Sequence, residues 1–199
     1  MALISGTHRM IGVAIGQHLN ALFLGQVMQE EFEPGCVKPD FDFTYFNVPH
    51  YKDKSLEFVL QILNKLASEP TPGKGTALKK YSTQLGVAMH FISDYFCYAH
   101  NHKKFDFIPA HLQYEVTLHF TASRMQLTQF TAPDTILLSQ YTLDSVEKMR
   151  EYINAMHARY LSARPAAELD IASAVYVCTT VACAVLRLSL GCSKAEPAA

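Results

Sequence analysis

The sequence predicts an all-α fold, a single-domain multi-helix bundle. Three observations lead there. Apolar residues recur at the three- and four-residue spacing of amphipathic helices over most of the chain. Proline and glycine fall between the periodic stretches, where they break helices. Period-two alternation, the mark of a half-buried strand, is convincing nowhere. With 199 residues, 49% of them hydrophobic, the chain can bury one full core and is too apolar for disorder.

The first helix is expected over residues 8–25, on the repeat of Ile11, Ile15, Leu19 and Leu22. Residues 26–55 break the pattern. They hold Pro34, Gly35, Pro39 and Pro49, are rich in Phe and Tyr, and read as a long irregular segment. A loop of that length is uncommon unless it has a function. Further helices are expected over residues 56–68, 76–100, 110–129, 142–159 and 169–190. Pro70, Pro72, Gly73 and Gly75 separate the second from the third, and Arg164 before Pro165 ends the fifth. The last helix is apolar enough to raise a membrane span. Its Thr179, Thr180 and Arg187 and its short uncharged stretch favour a buried core helix instead. The domain is assigned to residues 1–192, and 193–199 read as a frayed tail.

A net charge of −1 gives no global attraction to nucleic acid or to an acidic membrane, so no stable nucleic acid partner is expected. The five cysteines are odd in number and form no C-x-x-C pair, which points to buried thiols in a reducing compartment. The N-terminus lacks a signal-peptide pattern, so a cytoplasmic location is expected, with a processed, secreted or membrane-peripheral form as the alternative.

Nine histidines are many for this length, and four fall between His90 and His111. His90 and Asp94 stand four apart, on one face of a helix, where both can reach one ion. His100 lies six beyond Asp94, at a different azimuth, beside a second ion. His111 and Glu115 repeat the i,i+4 pairing on the next helix. Neutral imidazole with carboxylate suits zinc. Composition alone yields about one such His/acid pair by chance. The chain has three, with His102/Asp106 as the third, so pair counting by itself is weak.

The ordered pattern H-x3-D-x5-H followed by H-x3-E is more specific. It resembles the zinc-dependent phospholipase C family, the bacterial phosphatidylcholine-hydrolysing enzymes and the catalytic domain of clostridial alpha-toxin, and more distantly the fungal single-strand nucleases of the same superfold. Upstream, Thr7, His8 and Gly12 resemble the family's early histidine region. Gly35, Pro39, Asp40 and Phe41 resemble its Gly-x-x-x-Pro-Asp loop, and Pro49, His50 and Tyr51 its following histidine. The resemblance runs from about His8 to Glu115, and the last third matches only as generic helix.

The resemblance implies a cluster of two or three zinc ions. Asp40, His50, His90 and Asp94 would hold one, and His100, His111 and Glu115 a second. His8 and a shared oxygen of Asp94 would contribute to a third. Asp40 would position or deprotonate the attacking water. The family's third zinc also takes a mature N-terminal Trp. This chain has no Trp, so that position needs another ligand or a water, or stands empty. His119 and His102 are weighed as substitute ligands and Cys97 as a thiolate ligand, against outer contacts and a packed thiol. His18 is read as a helix-face histidine and His157 as a solvated one.

The implied reaction is hydrolysis of a phosphate ester, in the first place phospholipase C cleavage of a glycerophospholipid to diacylglycerol and a phosphorylated headgroup. Zinc neutralises phosphoryl oxygens, lowers the pKa of bound water and stabilises charge on the attacking and leaving oxygens. Phe41, Tyr45, Phe46 and Tyr51 could recognise a cationic headgroup, stack on a base, or simply pack their loop. The expected partner is a phospholipid or other phosphodiester, with transient membrane contact. A nuclease or phosphatase on the same metals is the first alternative, and a non-catalytic zinc-stabilised helical protein the second. A ferritin-like di-iron protein would need Glu-x-x-His, which does not occur.

Overall fold

The computed structural model describes residues 4–105, 107–131 and 142–192. Among them are seven α-helices, five short 3-10 turns and no strand. The helices are α1 (Ile4–Phe23), α2 (Gln29–Gly35), α3 (Lys52–Ser68), α4 (Gly75–Tyr95), α5 (Ile108–Ala122), α6 (Val146–Ser162) and α7 (Ala167–Cys192). The expected all-α class is the observed one. The tail 193–199 lies outside the described residues.

Helices α4 and α7 form the centre. Every residue of α4 from Leu85 onward is buried, because α2, α3 and α7 all pack against it. Helix α7 packs against α1, α3, α4 and α5. Its apolar window is 78% buried within the bundle, which accounts for its hydropathy as a core helix. Arg150 of α6 pairs with Glu57 of α3 at the surface, a contact of small energetic weight.

Three expected boundaries change. Residues 26–55 are not wholly irregular: α2 lies within them, followed by 3-10 turns at Lys38–Asp40 and Phe43–Tyr45. Helix α2 has weak local signals, with Pro34 inside it and no side-chain cap. Tertiary contact holds it instead: Phe32 is fully buried, and the Met28 N–H donates to Ser82 Oγ at 2.9 Å. The helix expected over 76–100 stops at Tyr95, and His100 sits in a separate turn, Tyr98–His100. Asn101 makes that break stable by donating from Nδ2 to the carbonyl of Tyr95 (2.9 Å), which the ended helix leaves open, and to that of Cys97 (2.8 Å), which also accepts the His100 N–H. The helix expected to reach residue 129 ends at Ala122, and Leu127–Phe130 form a 3-10 turn.

The approach of α2 to α4 depends on two glycines. A Cβ on Gly86 would lie 2.3 Å from the Phe32 carbonyl oxygen and 2.8 Å from the Cys36 nitrogen. One on Gly35 would lie 2.5 Å from the Thr83 carbonyl oxygen. These are backbone atoms, so relief requires the helices to separate. Gly86→Ala should therefore destabilise the fold by about 1–3 kcal/mol, read as a lower urea midpoint at unchanged slope. Gly73→Ala, where a Cβ meets nothing within 4 Å, is the matched control.

Candidate metal centre

The end of α4 meets the beginnings of α1, α3 and α5, and all eight sequence-predicted ligands gather there. His8 comes from the second turn of α1. Asp40 closes the turn after α2, and His50 immediately precedes α3. His90 and Asp94 occupy the last turns of α4, His100 its following turn, and His111 and Glu115 one face of α5.

Asp94 is the hub. Its carboxylate is 2% exposed and meets four imidazoles. Oδ2 lies 2.8 Å from His50 Nδ1 and 3.3 Å from His90 Nε2. Oδ1 lies 3.2 Å from His8 Nε2 and 3.5 Å from His100 Nε2. The surrounding histidines hold this carboxyl far below the usual range, against the opposing effect of burial.

Three groups of donors are close enough to share an ion: Asp40, His50 and His90; His100, His111 and Glu115; and His8, His90 and Asp94. The first two follow the implied division. The third contains His90 beside the implied His8 and Asp94, but the single lone pair on His90 Nε2 can serve only one of the two groups that share it. His90 Nε2 is 3.6 Å from Asp40 Oδ1 and 3.3 Å from His50 Nδ1. Donors around one tetrahedral zinc stand about 3.3 Å apart for bonds of about 2.0 Å. On the other side His111 Nε2 lies 3.0 Å, and His100 Nε2 4.0 Å, from Glu115 Oε1.

The hydrogen bonds orient ring nitrogens inward. His90 Nδ1 donates to the Cys36 carbonyl at 2.9 Å, leaving Nε2 as the free acceptor. Ser93 Oγ gives its proton to the His90 carbonyl at 2.7 Å, so it accepts from His8 Nδ1 at 3.0 Å, and His8 Nε2 is thereby aimed at Asp94 Oδ1. Acceptors pointed at the Asp94 carboxylate require a cation or protons between them. Asp40 Oδ2 and His100 Nδ1 are in addition buried without a hydrogen-bond partner. Three carboxylates, five imidazoles and an orphaned carboxylate oxygen fit zinc.

Burial keeps His90 and His100 neutral, His100 being lowered to about 4. For His8, burial opposes the charged form but the Asp94 carboxylate prevails and raises it to about 9. His50 is raised by Asp94 against the same opposition from burial. His111 is raised chiefly by its hydrogen bond to Glu115. Asp40 is raised by burial first, with Asp94 and Glu115 adding to it.

The remaining histidines divide. His102 is exposed and accepts the Lys104 N–H, outside every donor group; Asp106 lies outside the described residues. His119 also joins no donor group. Its ring lies against Gly6, where a Cβ would come within 2.6 Å of Cε1. Cys97 is a buried free thiol, as are Cys36, Cys178 and Cys183. His18 is half-buried on α1. His157 corrects the sequence expectation: it is not solvated but 8% exposed, and donates from Nε2 to Asn101 Oδ1 at 2.8 Å. Its spacing carries no such signal, because the partner is 56 residues away.

Burial, with Lys52 nearby, lowers His157 to about 4. Because the folded pKa lies below the unfolded value near 6.5, the unfolded chain binds the extra proton first. Stability is full above pH 6.5 and is lost as pH falls towards 4, by up to about 3 kcal/mol. His157→Gln keeps a donor for Asn101 and should flatten that part of the curve. Urea unfolding of both proteins across this range checks it, with identical pH slopes as the contrary result.

The comparisons with known proteins agree with the geometry. The family described as zinc dependent phospholipase C matches residues 7–167, which extends the likeness well beyond Glu115 and into the last third of the chain. No curated protein and no solved structure matches the chain. The match covers most of the sequence, and the chain belongs to the zinc-dependent phospholipase C family.

Proposed function

We propose that the protein is a phospholipase C-type hydrolase that cleaves a glycerophospholipid to diacylglycerol and a phosphorylated headgroup, with two or three zinc ions held by His8, Asp40, His50, His90, Asp94, His100, His111 and Glu115. The observation that carries this reading is that three donor groups border one buried carboxylate, that of Asp94, which lies within 3.5 Å of a histidine from each. Asp94 offers one oxygen to His50 and His90 and the other to His8 and His100, the arrangement of a bridging ligand.

Zinc bound there polarises the phosphoryl oxygens and lowers the pKa of a bound water towards neutrality. The protein supplies orientation and proton handling. Asp40 Oδ2 has no other partner and is the acceptor for a proton of the attacking water. The water oxygen bonds to phosphorus while the phosphorus–glycerol oxygen bond breaks, and the proton that Asp40 took from the water passes on to the departing oxygen, which becomes the diacylglycerol hydroxyl. Among the described residues the group of His100, His111 and Glu115 contains three protein donors, one fewer than a closed tetrahedral site uses. That favours catalysis over a closed structural site.

The loop residues divide by role. Tyr45 is buried, accepts from Gln84 and packs on Phe58 and Phe91. Tyr51 packs edge-on to His100. Phe41 and Phe46 are 52% and 73% exposed, and so is Phe43 at 86%, a residue the motif reading passed over. Phe41 and Phe43 line a groove of about 990 Å³ that also includes Arg9, the chain neighbour of His8. Exposed apolar side chains beside a phosphodiester centre suit a lipid with an apolar body, and they make the transient membrane contact. The groove carries Glu31, Glu33 and Asp42 against Arg9 and Lys38, so it has no basic excess of the kind that a polyanionic nucleic acid requires.

Elemental analysis of the purified protein should give two or more zinc ions per chain, with hydrolysis of a phosphocholine diester alongside. Asp94→Asn should lose both zinc and activity, with activity down about 10³-fold or more. A protein that takes up no added zinc would sink the assignment. Zinc without cleavage of any diester would favour the structural alternative.

A further inference from the structure

Asp170 carries no motif and lies beyond the family match, which ends at residue 167. It is 2% exposed, in the first turn of α7. Its carboxylate accepts three hydrogen bonds. The Tyr98 N–H and the Tyr114 hydroxyl both donate to Oδ2 at 2.8 Å, and the Tyr160 hydroxyl donates to Oδ1 at 2.7 Å. A buried carboxylate is tolerated only when its oxygens are satisfied.

The identity of the donors matters more than their number. Tyr98 opens the turn Tyr98–His100, which carries His100. Tyr114 stands on α5 between His111 and Glu115. One oxygen of Asp170 therefore ties together the two elements that supply the group of His100, His111 and Glu115. The chain between them passes through a short 3-10 turn at Lys103–Phe105, and the Tyr98 and Tyr114 rings, 6.0 Å apart, both pack on Phe105; the hydrogen bonds to Asp170 add direction to those ring contacts. Tyr160 of α6 holds the second oxygen and fixes the rotation of the carboxylate. Asp170 itself joins no donor group among the described residues.

We infer that Asp170 is a positioning residue for this zinc position: it sets the distance of His100 from His111 and Glu115, and thereby the affinity for that ion. The inference rests on the zinc reading of that group. It places part of the metal centre's support on a helix outside the matched region.

The test compares Asp170→Asn, Tyr114→Phe and Tyr160→Phe in the full chain by competition of zinc with a chromophoric chelator, with thermal midpoints recorded in parallel. The two tyrosine variants each remove one hydroxyl from the same carboxylate, but only Tyr114 stands on a ligand-bearing element. Asp170→Asn and Tyr114→Phe should weaken one class of zinc by about 10- to 100-fold and leave the other class unchanged, while Tyr160→Phe leaves both within about twofold. Equal weakening by the two tyrosine variants would reduce Asp170 to a packing contact. Wild-type affinities in Tyr114→Phe and Asp170→Asn would overturn the proposal. If Asp170→Asn fails to fold, the tyrosine pair decides. A wild-type chain that binds no zinc removes the parent reading as well, whereas intact zinc binding with unaltered variants removes this one alone.

Discussion

The ionised Asp94 carboxylate is the constraint on which the rest of the molecule turns. It is buried at the end of the most enclosed helix, and an unpaired charge there would cost more than the whole domain's stability. Four imidazoles surround it, two on each oxygen. Two of those rings have their outer nitrogens engaged by Cys36 and Ser93, so their Nε2 atoms face the carboxylate. Only positive charge in the middle reconciles acceptors on every side. Bound zinc would meet that demand, and so do protons on His8 and His50, both of which Asp94 raises.

That demand reaches back into the packing. His90 is oriented by a carbonyl at the end of α2, and α2 lies close enough only because Gly35 and Gly86 leave room for backbone against backbone. His100 must depart from the line of α4, so the helix has to stop at Tyr95. Asn101 takes over the open carbonyl of Tyr95, and His157 holds Asn101. The site is consequently supported by residues from α2, α6 and α7, none of which supplies a ligand from within the helix.

Local chemistry was legible in the sequence, and long-range support was not. His90/Asp94 and His111/Glu115 announce themselves because a helix places i and i+4 on one face, and the structure has those faces. His8, Asp40 and His50 could be placed only through the resemblance, since nothing in their spacing brings α1, the α2–α3 segment and α4 together. The stop at Tyr95 was missed because Phe96 and Cys97 carry no helix-breaking signal; the cap comes from Asn101, six residues on. Helix α2 was missed because Pro34 and the surrounding aromatics argue for loop, whereas Phe32 gains its stability from the core. Asp170 and His157 belong to the same class. Their partners lie 56 to 72 residues away, for Tyr114, Asn101 and Tyr98, and a lone Asp or His in a helical stretch gives no hint of that.

The exposed surface carries the substrate argument one step further. Large exposed apolar side chains adjoin two of the donor-bearing segments in the chain. Phe41, Phe43 and Phe46 follow Asp40, and Phe107 and Ile108 precede His111, at 68% and 70% exposure for the latter two. Single exposed apolar residues need no explanation, but aromatic clusters that flank a polar centre do. Phe43 and Phe46 stack on one another with ring centres 5.9 Å apart, so they form a small apolar surface and not isolated side chains. A water-soluble diester would gain little from such a rim. Under the proposed phospholipase C reading, a phospholipid would present an anionic diester and apolar chains together, its tails giving these rings a place to leave water and its phosphate meeting the donors around Asp94. The rim and the centre are then two halves of one recognition problem, and Asp40, next to Phe41 in the chain, joins them.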